Sequence, residues 1–310
     1  MEGNRDPGWL GRRAVLAGLA GVALTACAAE TPQGSRPSVS SSPAPPSPSS
    51  SPSGPPPSPS VAPPPPAPSP AAPVLPNRDQ IIAQFGARTP GYWGLEAPGV
   101  ALRLPPGSQG IALTFDCCGG PGGEALDRPL IDALRTHQVP STFFLNARWV
   151  HANPALAEEL AADPLIEVAN HGSQHLPLSM TGNTAYGLPG TRNSGEVYDE
   201  VMVNQELLLQ LTGKPALWFR SGTAFLDDVS TEVVRALGLV PVNFSINGDA
   251  GATFPAQTVA QSVGSASAGD IVIAHANRPL GGTAAGVAAA LPGMLVQGAR
   301  FVRLSEAPPV

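Results

Sequence analysis

The chain has 310 residues, a formal net charge of −6 and 38 prolines. Its few lysines and arginines are scattered and form no basic stripe, which excludes nucleic acid as a partner, while the mild acidity speaks mainly for solubility. Half of the prolines fall between Thr31 and Pro76, so composition alone divides the chain.

The first residues read as an export signal: Arg12 and Arg13, an apolar run from Ala14 to Ala26, then Cys27. The run is too short to span a bilayer permanently. Leu24-Thr25-Ala26-Cys27 resembles a bacterial lipobox, which implies that residues 1–27 form a lipoprotein signal cleaved just before Cys27, leaving a lipidated Cys27 as the mature N-terminus anchored in the outer face of the cell membrane. The paired arginines also fit a twin-arginine signal, as they fit any secretory leader. Residues 28–76, nearly all Pro, Ser and Ala, cannot bury enough apolar surface to offset the entropy of ordering and are expected to be a disordered linker. In extended polyproline form, the stretch from Thr31 to Pro76 would reach about 140 Å, suited to crossing a cell wall.

Residues 77–310 are then the folded domain, long enough for one core or an α/β barrel. Seven β-rich runs recur along it: Ile111–Phe115, Ser141–Leu145, Ile166–Ala169, Leu217–Phe219, Val240–Ile246, Ile271–Ala274 and Arg300–Leu304. Helical patterns lie between most of them, opening at Asp127 with Pro129 and at Asn153 with Pro154, then running over Ser194–Leu211, Asp228–Leu237 and Ala284–Leu295. Alternating strands and helices imply parallel pairing, and seven such units favour a barrel over an open sheet. Asp116 follows the first strand, His171 the third, Arg220 the fourth, Asp249 the fifth and His275 the sixth. Strand ends converge on one face of a parallel barrel, so these five side chains are expected to meet there.

His171 and His175 lie four apart, a spacing that lets one turn or loop aim both imidazoles at one ion. No Glu stands between them, which excludes the HExxH metalloprotease pattern. His137 and His151, in helical stretches without partners, read as surface residues.

Together Thr114-Phe115-Asp116, His171-xxx-His175, Arg220, Asp249 and Ile273-Ala274-His275 resemble, in order and spacing, the NodB-homology polysaccharide deacetylases, carbohydrate esterase family 4. The match covers roughly Gly110 to Leu304. The resemblance implies a distorted (β/α)7 barrel, with Asp116 as catalytic base, Arg220 orienting it, His275 as general acid, Asp249 tuning the site and His171 and His175 holding a divalent metal, commonly zinc. It also assigns the backbone N–H of Thr223 to the oxyanion.

Two departures stand out. The family has a second, metal-ligating aspartate where this chain has Cys117, followed by Cys118-Gly119-Gly120. A thiolate with two imidazoles is a good zinc set, so ligation by Cys117 or Cys118, a vicinal disulfide or buried thiols, and loss of the metal are the open outcomes. The third motif reads Arg220-Ser221-Gly222-Thr223; Gly222 suggests a flexible oxyanion strand, and the family's aromatic sugar contact is missing. Trp218, Phe225 and Tyr186 are the candidates to replace it, Trp218 fitting a core role better. The stretch Pro177–Gly195 is placed to roof the cleft and set substrate choice. The expected activity is removal of N-acetyl, in preference to O-acetyl, groups from an extracellular polysaccharide, with peptidoglycan the glycan nearest a lipid anchor. The rival is a glycan-binding lipoprotein that kept the barrel without catalysis.

Overall fold

The computed structural model describes residues 75–307. The export signal, Cys27 and all but the end of the linker lie outside the described residues. No helix among the described residues is long and apolar enough to cross a membrane.

Seven strands form one parallel sheet: β1 Ala112–Cys117, β2 Ser141–Leu145, β3 Ile166–Asn170, β4 Trp218–Phe219, β5 Val240–Pro241, β6 Ile246–Asn247 and β7 Ile271–His275. Their order across the sheet is β6-β7-β1-β2-β3-β4-β5. The two edges are consecutive in the chain, so residues 242–245 cross the barrel's gap where no ladder closes it. The expected (β/α)7 barrel is therefore present in distorted form.

The strands sort their side chains by alternation. Leu113, Phe115 and Cys117 of β1, Phe143 and Leu145 of β2, and Val272 and Ala274 of β7 enter the core between sheet and helices. The opposite face carries Ala112, Phe144, Ala169, Trp218 and Ile271, which fill the lower barrel with Leu104, Val242 and Leu304. Trp218 is thus a core residue, as its sequence context suggested.

Local signals set the helix limits. Helix Ser194–Thr212 starts where the Asn193 side chain accepts from Glu196 N–H and stops at Gly213, whose φ of 72° ends it in the left-handed region. Helices Arg128–Thr136 and Pro154–Ala162 both open with a proline in the first turn. Helices Arg78–Phe85, Ala147–Ala152 and Ala256–Gly264 were not read from sequence. The first two are short, and helix formation at that length depends on packing more than on propensity.

Two expected strands are corrected. The run Val240–Ile246 breaks after Pro241, because Asn243 turns out of the sheet: its Nδ2 donates to the carbonyls of Leu95 and Ala224, and its own carbonyl accepts from Arg220 Nη2. The run Arg300–Leu304 makes one parallel bridge, Ile111 with Phe301, then coils into a 3₁₀ turn at Leu304–Glu306 that seats Leu304 under the barrel.

Asp270, just before β7, ties the barrel's lower rim. It accepts from Ser245 Oγ at 2.7 Å, from Ser267 N at 2.8 Å and from Ser267 Oγ at 2.9 Å, and it pairs with the half-exposed Arg103. Burial works against its charge, but the bonds from Ser267 and Ser245, then Arg103, outweigh it and hold the carboxyl below its usual range. A depressed folded pKa contributes stability above the unfolded value, and that stability is lost as pH falls through the folded value. Asp270→Ala is accordingly expected to lose about 1–3 kcal/mol at pH 7. Urea melts should show the gap to wild type narrowing below about pH 4.

Candidate metal and acid–base site

The upper ends of the strands gather the reactive groups, and register decides who meets whom. On the adjacent strands β7 and β1, His275 pairs directly with Asp116. Strands in a sheet lie about 4.8 Å apart, so the carboxylate and the imidazole at matching register flank the same small volume.

Asp116 is buried and receives Arg220 Nη1 at 2.8 Å. Burial opposes its charge, yet Arg220, with His171 and His275 nearby, keeps the carboxyl below the usual carboxylate range. Arg220 is itself fully buried, donating Nη2 to Thr114 Oγ1 at 2.9 Å and to the Asn243 carbonyl at 3.0 Å, with its guanidinium 4.2 Å over the Phe144 ring. Arg220 thus contacts the Asp116 carboxylate directly, as its expected pairing requires.

His275 Nδ1 lies 2.9 Å from Asp249 Oδ1, and its backbone N–H donates to Asp249 Oδ2 at 2.7 Å. Thr283 Oγ1 donates to the same oxygen at 2.8 Å. Asp249, fully buried, thus fixes both the backbone and the ring of His275. Burial disfavours the imidazolium, but the bond to Asp249 and the neighbouring Cys118 sulfur raise the His275 pKa well above its ordinary value.

His171 Nδ1 lies 2.9 Å from the Arg220 carbonyl, which can only accept, so Nδ1 carries the proton and Nε2 points into the site. Nε2 is 3.7 Å from Cys118 Sγ and 3.6 Å from Asp116 Oδ2. The His175 ring stands perpendicular to that of His171, with centroids 5.0 Å apart. One ligand atom each from Cys118, His171 and His175 can be chosen so that all lie within 4.8 Å of one another.

A divalent ion fits these residues. The His175 Nε2 is buried without any hydrogen-bond partner, a costly arrangement for a bare nitrogen and an ordinary one for a ligand. Two imidazoles and a thiolate are a recurrent zinc set, and the tetrahedral geometry with such ligands spaces them by about 3.3–3.8 Å. Burial raises the Cys118 pKa, but the surrounding histidines overcome it and draw the thiol well below its ordinary value, toward the ligating thiolate.

Cys117 does not take part, which corrects the assignment of the third ligand. Its side chain is fully buried in the outer core, and burial pushes its thiol well up. The reason is strand alternation: residues 114, 116 and 118 share the inner face, while 115 and 117 share the outer one. Cys118, one residue further along, therefore occupies the place expected of Cys117. Both cysteines are free thiols, so no vicinal disulfide forms.

The histidine loop is held from behind by groups that sequence reasoning passed over. Glu200, buried in helix Ser194–Thr212, accepts from Ser173 Oγ at 2.8 Å, Gln174 N at 2.8 Å and Leu176 N at 3.1 Å. Asn146 Nδ2 donates to the carbonyls of His171 and Gly172, and Asn170 Oδ1 accepts from Gly172 N and Asn204 Nδ2. These bonds hold His175 at a φ of 63°, uncommon for a residue with a side chain. The signal was available: Glu200 falls on the buried stripe with Val197, Val201, Asn204 and Leu208, where a lone carboxylate needs partners.

Thr223 lines the cavity above these groups with Asp116, His175 and His275. Among the described residues no hydrogen bond uses its backbone N–H, which leaves that donor available. Gly222 is not a source of flexibility, contrary to expectation. A Cβ there would lie 2.3 Å from the His175 carbonyl carbon, so glycine is required for the third motif to pack on the histidine loop. Tyr186 and Leu188, from the expected roof Pro177–Gly195, line the same cavity. His137 and His151 stay outside it.

Fold and site together define a parallel (β/α) barrel with a carboxylate–imidazole pair and a Cys–His–His cluster that could hold a metal ion at its upper mouth. The domain resembles the NodB-homology polysaccharide deacetylases of carbohydrate esterase family 4. The polysaccharide deacetylase family model matches residues 103–242. A peptidoglycan-N-acetylglucosamine deacetylase of Bacillus cereus is 27% identical over 211 residues, covering 67% of this chain and 92% of that protein. Among solved structures, a family 4 pseudoenzyme from Bacillus anthracis aligns with a TM-score of 0.57 at 21% identity over 68% of this chain and 69% of its own. A family 4 carbohydrate esterase from Streptomyces lividans in complex with acetate aligns with a TM-score of 0.53 at 20% identity over 65% and 97%. At those identities the structural likenesses establish the fold alone.

The two cysteines should separate cleanly. Cys118→Ser is expected to lower bound zinc sharply, measured by metal analysis after dialysis. Cys117→Ser should keep its metal and lose about 1–3 kcal/mol of stability by burying a hydroxyl in the core.

Proposed function

We propose that the chain is a metal-dependent hydrolase that removes N-acetyl groups from an extracellular polysaccharide, with cell-wall peptidoglycan as its substrate. The observation carrying this reading is the convergence at one mouth of Asp116 on Arg220, His275 on Asp249, and the Cys118, His171 and His175 donor set. A base, an acid and a metal set, each with its own orienting partner, exceed what glycan binding without catalysis requires, and that supports the enzymatic reading over a binding lipoprotein.

Cys118, His171 and His175 would hold the metal, most suitably zinc, which supplies Lewis acidity toward the acetyl carbonyl and lowers the pKa of a water in the site. Asp116, kept ionised by Arg220, accepts a proton from the attacking water as the carbon–oxygen bond forms. The Thr223 N–H is placed to donate to the carbonyl oxygen as it gains charge. His275, held as a proton donor by Asp249, gives its proton to the sugar nitrogen as the carbon–nitrogen bond breaks, leaving acetate and a free amine. Ester substrates pass through the same geometry, but an amine leaving group has the greater need of the His275 proton.

Purified full-length protein should release acetate from N-acetylated peptidoglycan fragments and lose that activity to a chelator, with zinc restoring it. Asp116→Asn should slow release by about 10²–10⁴-fold with bound metal retained. Absence of metal together with no acetate from any glycan would favour the binding lipoprotein instead.

We also propose that the protein is exported and held at the outer face of the membrane by lipid on Cys27, with the Pro-rich segment as a spacer. The support is the sequence pattern Leu24-Thr25-Ala26-Cys27 after an apolar run. Metabolic labelling with a fatty acid should mark the wild type and not Cys27→Ala.

A further inference from the structure

The cavity over the catalytic groups has a volume of about 450 Å³, and Tyr186 and Leu188 form part of its apolar wall. Both belong to a hairpin in which Thr184–Ala185 pairs with Leu188–Pro189 around the two-residue tip Tyr186-Gly187. Tyr186 has a φ of 51° and Gly187 a φ of 77°, the left-handed pair that a type I′ turn requires. Asn, Asp or Gly ordinarily fills the first of these positions, because left-handed backbone costs other residues about 1–2 kcal/mol. A tyrosine bears that cost here while 76% exposed. Its ring meets Phe225 at right angles with centroids 5.4 Å apart, and Phe225 in turn rests on Trp93 at 5.6 Å. The ring is thus steadied on the rim of the catalytic cavity and left largely open to water. Neither the turn nor the core accounts for an aromatic residue at this place.

We propose that Tyr186, with the half-exposed Leu188 beside it, forms a sugar-binding subsite. It stacks against the apolar C–H face of the pyranose next to the one whose acetyl group reaches Asp116 and His275. The ring face of tyrosine is electron-rich and the axial C–H bonds of a pyranose are its electrostatic complement. Leu188 extends the apolar strip, and apart from Asp116, His175 and His275 the cavity is lined by no acidic or basic side chain, which suits a neutral sugar. The subsite also replaces the aromatic sugar contact missing from the third motif, and it makes a chain of sugars the preferred ligand over a monosaccharide. The position of the reacting sugar rests on the deacetylase reading above.

The test is binding, so that it does not depend on turnover. Full-length protein carrying Asp116→Asn is titrated with a tetramer of β-1,4-linked N-acetylglucosamine by calorimetry, alone and with Tyr186→Asn or Tyr186→Phe. Tyr186→Asn creates the Asn-Gly pair that a type I′ tip favours, so its thermal midpoint should equal or exceed that of the parent. Its affinity for the tetramer should nevertheless fall about tenfold, whereas Tyr186→Phe should stay within about twofold. Unchanged affinity in Tyr186→Asn overturns the subsite. So does a lowered midpoint in both variants with equal loss of binding, which assigns the ring to folding. If the wild type frees no acetate from any glycan but Tyr186→Asn still loses the tetramer, the deacetylase reading fails and the subsite stands.

Discussion

A guanidinium with no exposure to water organises the upper half of this barrel. Arg220 leaves β4 at its end, lies across the Phe144 ring, and spends two of its nitrogens on Asp116, Thr114 and the Asn243 carbonyl. A buried charge of this kind is tolerable only if it is paired and hydrogen-bonded. Satisfying it fixes two further strand segments at once: on β1, Asp116 must sit where it does and Thr114 must face inward, and the chain after Pro241 must turn out of the sheet to present Asn243. The carbonyl of the same residue accepts from His171 and so sets which nitrogen faces the site. The side chain of Arg220 and its own backbone thereby connect Asp116 to His171.

The metal set is built on a different logic, that of a loop made rigid from behind. The turn from His171 to Leu176 contains Gly172 at a φ of 77°, which glycine adopts without cost, and His175 at a φ of 63°, which a free loop would not keep. Glu200 accepts from Ser173, Gln174 and Leu176, Asn146 donates to the carbonyls of His171 and Gly172, Asn170 accepts from Gly172 while itself held by Asn204, and Gly222 lets the third motif close against the loop. Second-layer bonds of this sort orient metal ligands and adjust their basicity. The outer core of β1, β2 and the helices carries the stability, and the inner face above Phe144 carries the chemistry. Cys117 and Cys118, adjacent in sequence, fall on opposite sides of that boundary.

The rim follows a third pattern. Where Asp116 and His171 are buried and bonded on several sides, Tyr186 and Leu188 are exposed on a hairpin, Tyr186 at its tip with its ring against Phe225.

The sequence by itself determined the alternation of strands and helices, and with it the convergence of Asp116, His171, Arg220, Asp249 and His275, because parallel strands joined by helices have only one end at which such residues can meet. Strand period two was equally present in the residues and, applied at Thr114, Asp116 and Cys118, separates the two cysteines; aligning the motif by family position instead put the ligand at Cys117. What only the tertiary structure decided were matters of contact between distant segments. Gly222 looked like freedom and is a close approach, since its neighbour His175 is nearly fifty residues away in the chain. Val240–Ile246 has the composition of one strand and breaks into two, because Asn243 is claimed by Arg220, Leu95 and Ala224. Glu200 and Tyr186 gain their meaning only from the loop one supports and the cavity the other borders, relations that no local pattern of residues encodes.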